Sequence, residues 1–327
     1  MFLSPKFFIS PMSLNLIDIF CKYKPDDFGL IISRRQIDYK YGYVGNLSTQ
    51  NFYNKIVRKN KKLILCRDHG GPNQGTMQDE GFKSIKDDFN FLDIIHIDPF
   101  KKYFSIKDVS RYIQKIIYLS NKYNYKGEFE IGTESSIFPY SPHYLNLLLN
   151  DLYKELSLID FKKIKYCVIQ SGTAIDIIKK KNNGIFDKNN LLKFIKIIKK
   201  NEKFSKEHNG DYLSNKDIRM KFKLGLDALN IAPEIVQIEN EFLYNYLNLN
   251  TKKLKIALNI INRSVVWKKW LKFSDVSELS HKKLFISFAH YFYSNEIFSK
   301  LLRDVPQNFY SNLSKKVQTK LDNFLLI

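Results

Sequence analysis

Residues 63–71 read LILCRDHGG, a short apolar run that ends in an Asp-His pair and two glycines. The same pattern recurs along the chain: each apolar, strand-like run ends in a polar cluster and is followed by a stretch with helical periodicity. The predicted strands are Phe28–Ser33, Leu63–Arg67, Asp93–Ile97, Glu128–Ile131, Tyr166–Ile169, Lys203–Ser205 and Ala228–Ile231. Their polar ends fall near residues 34, 68, 98, 132, 170, 208 and 232. This spacing fits an α/β fold of the (β/α)8 TIM-barrel type, whose repeating unit averages about 31 residues.

The periodicity also suggests how the chain divides. We expect a helical N-terminal lead over residues 1–24, a (β/α) barrel over residues 25–249 and a helical C-terminal extension over residues 250–327 that packs on the barrel. An eighth strand cannot be located from the pattern. The absence of a GxGxxG turn weakens a doubly wound dinucleotide-binding fold, and the runs share no repeated motif that would indicate a solenoid.

Composition limits the functional classes. The chain has 327 residues, 44% of them apolar, and 53 Lys and Arg against 33 Asp and Glu give a net charge of +20. The lysines are scattered, which favours a solvated basic surface, with a preference for anionic small molecules or nucleic acid as the alternative. Three distant cysteines without a CxxC pair indicate neither a disulfide framework nor a thiolate zinc site. We expect a cytoplasmic protein, with no secretory leader and no membrane span.

The polar residues concentrate at the carboxyl ends of the predicted strands, where the active site of an α/β barrel is built. One such cluster would be an ordinary capping turn, but seven in register indicate a site. The clusters are Arg34–Gln36, Asp68–Gln74, His96–Pro99, Gly132–Glu134, Gln170–Thr173, Glu207–Asp211 and Ala232–Glu234.

Three of these side chains form a candidate metal site. His69, Glu134 and His208 follow the second, fourth and sixth predicted strands, and alternate strands contribute to the same layer inside a barrel. Two histidines and one carboxylate are typical ligands of catalytic zinc, so we expect Zn²⁺ or another divalent metal here. The alternative is that His69 and His208 only bond to loop backbone.

Several stretches also resemble a known family. RDHGGPNQG (67–75), IIHID (94–98), EIGTE (130–134), EHNGDYL (207–213) and HYFYSNEIFSKLL (290–302) are similar to motifs of the tagatose-bisphosphate aldolase class II non-catalytic subunit family. The resemblance implies a barrel related to class II aldolases, in which zinc polarises a ketose phosphate. It also implies that His69 ligates metal and that Asp68 moves a proton. The chain departs from the family at Gly70-Gly71, where many relatives have Leu-Gly, at Arg67 and at Arg34–Gln36, which puts the tagatose substrate in doubt.

The residue types suit carbon–carbon bond cleavage, which needs a base and a stabiliser of the resulting enediolate. Asp68 and Asp98 are the predicted catalytic carboxylates, with Glu134 as a further candidate. Guanidinium groups bind phosphate well, which favours Arg34 and Arg35, with Lys101 and the amides of Ser171–Thr173 as weaker candidates. The predicted substrate-binding residues are Arg34, Arg35, Asn73, Gln74, Gln170, Ser171, Gly172, Asn209, Asp211 and Glu234.

Two hypotheses from different classes remain open. The first is a metal-dependent aldolase-like lyase of carbohydrate metabolism that acts on a sugar phosphate. The second is a catalytically silent accessory subunit that stabilises a separate aldolase, with a homo-oligomer as another possible assembly. Nucleic-acid binding ranks third, because no RNP, zinc-finger or helix-turn-helix pattern is present, and no membrane partner is expected.

Overall fold

The computed structural model describes residues 5–23, 28–60, 62–265, 267–268 and 279–327. Eight parallel strands close into a barrel in the order β1-β10-β9-β6-β5-β4-β3-β2. The barrel strands are β1 (Phe7–Ile9), β2 (Phe28–Ser33), β3 (Leu65–Gly70), β4 (Ile94–Ile97), β5 (Glu128–Ile131), β6 (Ile164–Ile169), β9 (Phe204–Glu207) and β10 (Ala228–Ile231). A small hairpin, β7 (Ile175–Asp176) and β8 (Lys181–Asn182), follows β6. The predicted TIM barrel is therefore confirmed, and each of the seven predicted strands overlaps a barrel strand.

Helices connect the strands and cover the outside of the barrel. They are α1 (Leu14–Lys22), α2 (Thr49–Val57), α3 (Phe82–Asp88), α4 (Ile106–Lys122), α5 (Pro142–Glu155), α6 (Leu158–Lys162), α7 (Lys188–Lys200), α8 (Asn215–Lys223) and α9 (Pro233–Asn248). In α4, Ser105 caps the first turn by accepting a bond from the Asp108 N–H, and the buried face carries Val109, Ile113 and Ile116. Burial of this apolar face, rather than helix propensity alone, holds the helix on the barrel.

The eighth strand lies in the N-terminal segment, which corrects the expected helical lead. Phe7–Ile9 pairs in parallel with β10 on one side and with β2 on the other, and α1 follows it. The barrel therefore begins before residue 25; residues 1–4 and 24 of the expected lead lie outside the described residues.

The barrel interior is layered. Phe8, Ile31, Cys66, Ile94, Tyr166 and Ala228 form a buried cluster separate from the main core. Because side chains alternate along a strand, the residues two positions further on also point inward. On β3 and β4 these residues are Asp68 and His96, so the polar site is built directly above an apolar layer.

The C-terminal region is helical, as expected. It contains α10 (Thr251–Arg263), α11 (His281–Phe288), a 3₁₀ turn (Ala289–Phe292), α12 (Glu296–Leu301) and α13 (Gln307–Leu325). Phe324 of α13 stacks on Phe7 of β1 with ring centroids 5.2 Å apart, which fixes this helix beside the barrel. Within the described parts of the chain, no helix combines the length and the apolar character that crossing a membrane requires.

Candidate metal centre

Four side chains from three barrel strands converge at the carboxyl end of the barrel. Asp68 and His69 come from β3, His96 from β4, and His208 directly follows β9. Each offers one ligand atom, and these atoms lie within 4.8 Å of one another. His96 was not among the ligands predicted from the sequence. In the cluster it stands with His69 and His208, where the sequence predicted Glu134.

A local irregularity of β3 explains how two consecutive residues reach the same site. Adjacent residues of a regular strand point to opposite faces. Here the register with β4 shifts between Arg67 and Gly70, and His69 has a positive φ of 49°. Such a bulge redirects side chains, and strained backbone of this kind concentrates at functional sites.

The two glycines that follow are needed for the close approach of β3 and β4. A Cβ at Gly71 would lie 2.1 Å from the backbone oxygen of Asp98, and one at Gly70 would lie 2.8 Å from that of His96. No side chain fits at Gly71 without moving the backbone that carries Asp98. The departure from the family is at Gly70, where a Cβ would come too close to the backbone oxygen of His96, so it too has a structural reason.

His69 and His208 each have one ring nitrogen occupied by a protein partner, whereas His96 has a partner at both ring nitrogens. His69 Nδ1 lies 2.6 Å from Asp98 Oδ2, and His208 Nε2 lies 2.7 Å from Glu130 Oε1. The His96 Nε2–H donates to the Gly132 carbonyl at 2.9 Å, and its Nδ1 accepts a bond from the His69 N–H at 3.2 Å. These partners leave His69 Nε2 and His208 Nδ1 directed at the cluster, as in metal sites where a carboxylate orients each imidazole.

Asp68 Oδ1 lies at the centre of this arrangement. It is 3.4 Å from His69 Nε2, 3.7 Å from His96 Nδ1 and 3.7 Å from His208 Nδ1. The atom is buried and has no hydrogen-bond partner among the described residues. Ligands at about 2.1 Å around a tetrahedral ion stand about 3.4 Å apart, so the donor types and spacings fit a divalent metal such as Zn²⁺.

The surrounding charges agree with this arrangement. Burial opposes ionisation of His69, but Asp68 and Asp98 outweigh it and raise the pKa of the imidazole to about 10. Burial likewise opposes ionisation of Asp68, and the neighbouring histidines overcome it and lower the pKa of that carboxyl below its usual range. Without a cation these shifts make Asp68 and His69 an ion pair, and a metal that bound here would take the place of the imidazole proton.

Glu134, the predicted third ligand, lies at the edge of the cluster. Its Oε2 is 3.9 Å from both His69 Nε2 and His208 Nδ1, and it accepts a bond from Asn209 Nδ2 at 2.7 Å. Its side chain keeps 18% exposure. Glu134 therefore stands at the edge of the cluster, and the shorter separations belong to Asp68 and the three histidines.

Asp98, a predicted catalytic carboxylate, is instead fully occupied by protein partners. Oδ2 accepts from His69, Gln74 Nε2 at 3.0 Å and Thr133 Oγ1 at 3.0 Å, while Oδ1 accepts from the Phe100 N–H at 3.1 Å. The side chain is completely buried. Asp98 and Gln74 therefore position His69, and the assignment of Asp98 to proton transfer and of Gln74 to substrate binding does not fit the structure.

The two predicted phosphate-binding arginines differ. Arg34 is buried and makes a bidentate pair with Asp79 at 2.8 and 2.7 Å, and it also donates to Asp38 and to the Gly71 carbonyl. Arg34 thus ties the loops after β2 and β3 together, which corrects its assignment to phosphate binding.

Arg35 is half-buried and forms no ion pair within the described part of the chain. Its positive charge, together with burial as the larger cause, lowers the pKa of Lys101. Lys101 Nζ contacts only the Asn73 carbonyl, at 3.4 Å, among its described hydrogen-bond partners. Arg35 and Lys101 therefore remain as a neighbouring pair of cations, with Asn73 contributing its backbone.

The predicted substrate residues after β6 are engaged in the structure. Gln170 Nε2 donates to the Thr133 and Phe138 carbonyls, both at 2.9 Å. The Ser171 N–H and hydroxyl donate to Glu207, and Lys221 Nζ donates to that hydroxyl at 2.6 Å. Gly172 has a φ of 98°, and a Cβ there would lie 1.9 Å from the Ile185 carbonyl. These residues close the loop, which argues against an anion site at the Ser171 amide.

Asp211 and Glu234 hold the N-terminus of α9. Asp211 accepts from the Ala232 N–H at 3.0 Å and the Glu234 N–H at 2.8 Å. Glu234 accepts from the Tyr212 N–H at 2.8 Å and forms an ion pair with Lys320 of α13. The structure thus gives both a structural role, while Asn209 alone of this group reaches the cluster through Glu134.

Glu130 and Lys206 belong to the candidate site but were not predicted from the sequence. Lys206 Nζ is 2.6 Å from Glu130 Oε2, and both side chains are fully buried below the cluster. The sequence did contain a signal for them, because residues two or four apart on a strand point to the same face. Glu130 is four residues before Glu134, and Lys206 is two residues before His208.

Comparisons with solved structures support the fold. No protein-family model matches the chain, and the curated protein sequences give no match. A probable tagatose 6 phosphate kinase from Sinorhizobium meliloti is 14% identical, with 98% of this chain and 99% of that chain covered and a TM-score of 0.74.

Two further structures are similar. A fructuronate-tagaturonate epimerase from Cohnella laeviribosi is 11% identical, with 98% and 81% covered and a TM-score of 0.62. A fructose-bisphosphate aldolase from Campylobacter jejuni is 11% identical, with 98% and 89% covered and a TM-score of 0.53. At these identities the likeness establishes a shared TIM-barrel fold over nearly the whole chain.

Proposed function

We propose that this chain is a metal-dependent enzyme of carbohydrate metabolism, similar to class II aldolases, that cleaves or forms a carbon–carbon bond in a phosphorylated ketose. The observation that carries the proposal is the position of Asp68 Oδ1, buried without a hydrogen-bond partner in the described structure and 3.4–3.7 Å from three imidazole nitrogens. Leaving a buried carboxylate oxygen unsatisfied is costly, and a cation removes that cost.

His69 Nε2 and His208 Nδ1 would hold the ion, and His96 Nδ1 would join them in place of its bond to the His69 N–H. Asp68 Oδ1, beside these nitrogens, would offset part of the charge of the ion. When bound, a divalent metal supplies Lewis-acid stabilisation of the negative charge that develops next to a ketone. Asp98 and Glu130 keep the ring nitrogens of His69 and His208 in the tautomers that such binding requires.

Two carboxylates are placed for proton transfer. The Asp68 side chain keeps 23% exposure, so it can accept a substrate hydroxyl proton through the oxygen that does not face the imidazoles. Glu134, held by Asn209 at the edge of the cluster, is the second candidate. Asp68 is the primary base in this proposal despite its lowered pKa, because a bound metal would make the substrate hydroxyl more acidic, and Glu134 orients the substrate.

The phosphate group would bind between Arg35 and Lys101. Asp98, Glu134 and Asp68 each raise the pKa of Lys101, whereas Arg35 lowers it. Lys101 is therefore close enough to both the cluster and Arg35 to interact with their charges. A phosphate there would neutralise two adjacent cations. The names of the similar structures, which refer to tagatose 6 phosphate, fructuronate and tagaturonate, and fructose bisphosphate, also favour a ketose as the substrate.

The test is turnover of ketose phosphates by the purified chain alone. Fructose and tagatose mono- and bisphosphates are incubated with protein loaded with Zn²⁺, Co²⁺ or Mn²⁺, and the products are followed by ¹³C NMR, which detects both cleavage and epimerisation. We expect cleavage that a chelator abolishes and that Asp68→Asn lowers on the order of 10²-fold or more. His143→Ala, an exposed histidine on α5, is the matched control and should retain activity.

The accessory-subunit hypothesis gives a different result. Protein that retains one metal and binds a sugar phosphate, yet turns over none of these substrates, would overturn the enzymatic proposal. The chain would then act through a catalytic partner, whose heat stability it should raise on mixing.

A further inference from the structure

A cavity of about 150 Å³ lies outside the metal centre, between the barrel and the C-terminal helices. Its walls come from the segments that follow β1 and β2, from α9 and from the region after α11. The lining includes Ser13, Asn15, Tyr43, Glu239, His290 and Tyr293. None of the described lining residues belongs to the metal cluster.

Glu239 is the charged group of this cavity. Its side chain is fully buried on α9, where it accepts a short hydrogen bond from the Ser13 hydroxyl and one from Asn15 Nδ2 at 2.7 Å. Among the described residues, burial, Ser13 and Asn15 are the causes that set the pKa of Glu239, and no lysine, arginine or histidine contributes. Buried carboxylates in proteins are normally paired with a cation. Glu239 has no such partner among the described residues.

The walls suit a cation that carries a short carbon chain. Tyr43 and His290 lie with ring centroids 5.9 Å apart, and the face of an aromatic ring attracts a nearby positive charge. Two neutral donors already occupy part of the carboxylate, whose remaining lone pairs can accept two N–H bonds. A cavity of this volume holds about six non-hydrogen atoms.

We propose that this cavity binds a small primary ammonium compound, whose NH₃⁺ group pairs with Glu239 while Tyr43 and Tyr293 contact its carbon chain. A neutral alcohol of the same shape would leave the carboxylate uncompensated. The site is independent of the catalytic proposal, because it shares no residue with the metal centre.

The experiment measures the thermal unfolding of the full chain at pH 8 with propylammonium chloride. Burial raises the pKa of Glu239 to about 7, so the carboxylate is largely ionised at this pH. We expect a saturable rise in Tm of about 2 °C or more, which 1-propanol and sodium chloride at the same concentrations do not reproduce. Potassium chloride is a separate arm, and an equal saturable rise there would overturn the proposal in favour of an inorganic cation site.

Two variants locate the effect. Glu239→Gln should abolish the rise, whereas Glu241→Gln, a half-exposed residue of the same helix that pairs with Lys180, should keep it. If Glu239→Gln does not fold, Leu302→Phe gives a second test, because Leu302 lines the cavity and a larger side chain there should fill it and also abolish the rise. A rise that persists in a folded Glu239→Gln or Leu302→Phe protein, or no rise in the unmodified chain, would contradict the assignment.

Discussion

His69 Nδ1 lies 2.6 Å from Asp98 Oδ2, and this contact decides which nitrogen of the ring faces Asp68. Asp98 is itself held by Gln74, Thr133 and the Phe100 N–H, so its carboxylate has no freedom to turn away. Asp98, which the sequence predicted as a catalytic carboxylate, therefore positions His69, a candidate metal ligand. The contribution of Asp98 to metal binding can be measured without an assay of catalysis.

Asp98→Asn should weaken metal binding about 10- to 100-fold without unfolding the protein. The amide keeps the shape of the carboxylate but holds the imidazole less firmly. Affinity is measured by competition with a chromophoric chelator, and circular dichroism checks the fold. An affinity equal to that of the unmodified chain would show that Asp98 does not orient His69.

His69→Ala and His208→Ala should each abolish metal retention and leave the barrel folded. Both rings lie at the carboxyl end of the barrel, where residues contribute more to the site than to the core. His143→Ala makes the same change at an exposed position and should retain the metal. Unchanged metal content in either cluster variant would remove that histidine from the ligand set.

Arg34→Gln should affect the stability of the protein, and Arg35→Gln should affect its response to a ketose phosphate. The first leaves Asp38 and Asp79 without their buried partner and should lower the free energy of unfolding by about 3 kcal/mol. The second should change stability by less than about 0.5 kcal/mol but remove the rise in Tm that a ketose phosphate produces. Denaturant titration and thermal unfolding separate the two, and a phosphate response that survives in Arg35→Gln would rule out its proposed role.

Glu239 should make the protein less stable as the pH rises. Burial raises the pKa of its carboxyl from 4.5 to about 7, while the unfolded chain keeps the ordinary value. Between these values the folded state retains a proton that the unfolded state has lost, so the contribution is complete below pH 4.5 and is lost as pH rises through 7. The loss amounts to about 3 kcal/mol.

Urea denaturation from pH 5 to pH 8 measures this effect as the difference between the unmodified chain and Glu239→Gln. The stability advantage of the unmodified chain should shrink as the pH rises, and Glu241→Gln, which retains Glu239, should keep the same fall of stability with pH. A difference that is constant over this range would mean that Glu239 does not titrate in it.

Most of the barrel could be predicted from the sequence because each strand there carries its own local signal. Ile94–Ile97 is an apolar run that ends in polar residues, and α4 shows a regular buried face. β1 could not be recognised in the same way, since it has only three residues and lies between Pro5 and Pro11. Its strand character depends on pairing with β2 and β10, which are distant in sequence.

The site was predictable in part for a related reason. Asp68, His69 and His208 stand in polar clusters at strand ends, and the structure brings them together. His96 lies inside the apolar strand β4, so its inward direction depends on a register that only the folded barrel fixes. Arg34 was misassigned because its partners Asp38 and Asp79 become its neighbours only when two loops pack against each other.

The most direct test of the metal centre is elemental analysis of protein purified without a chelator or an affinity tag, loaded with Zn²⁺ and then dialysed. We predict about one zinc per chain, lost in His208→Ala and retained in His143→Ala. A content that stays far below one per chain after loading, or one that is the same in both variants, would contradict the assignment of Asp68, His69, His96 and His208 as a metal site.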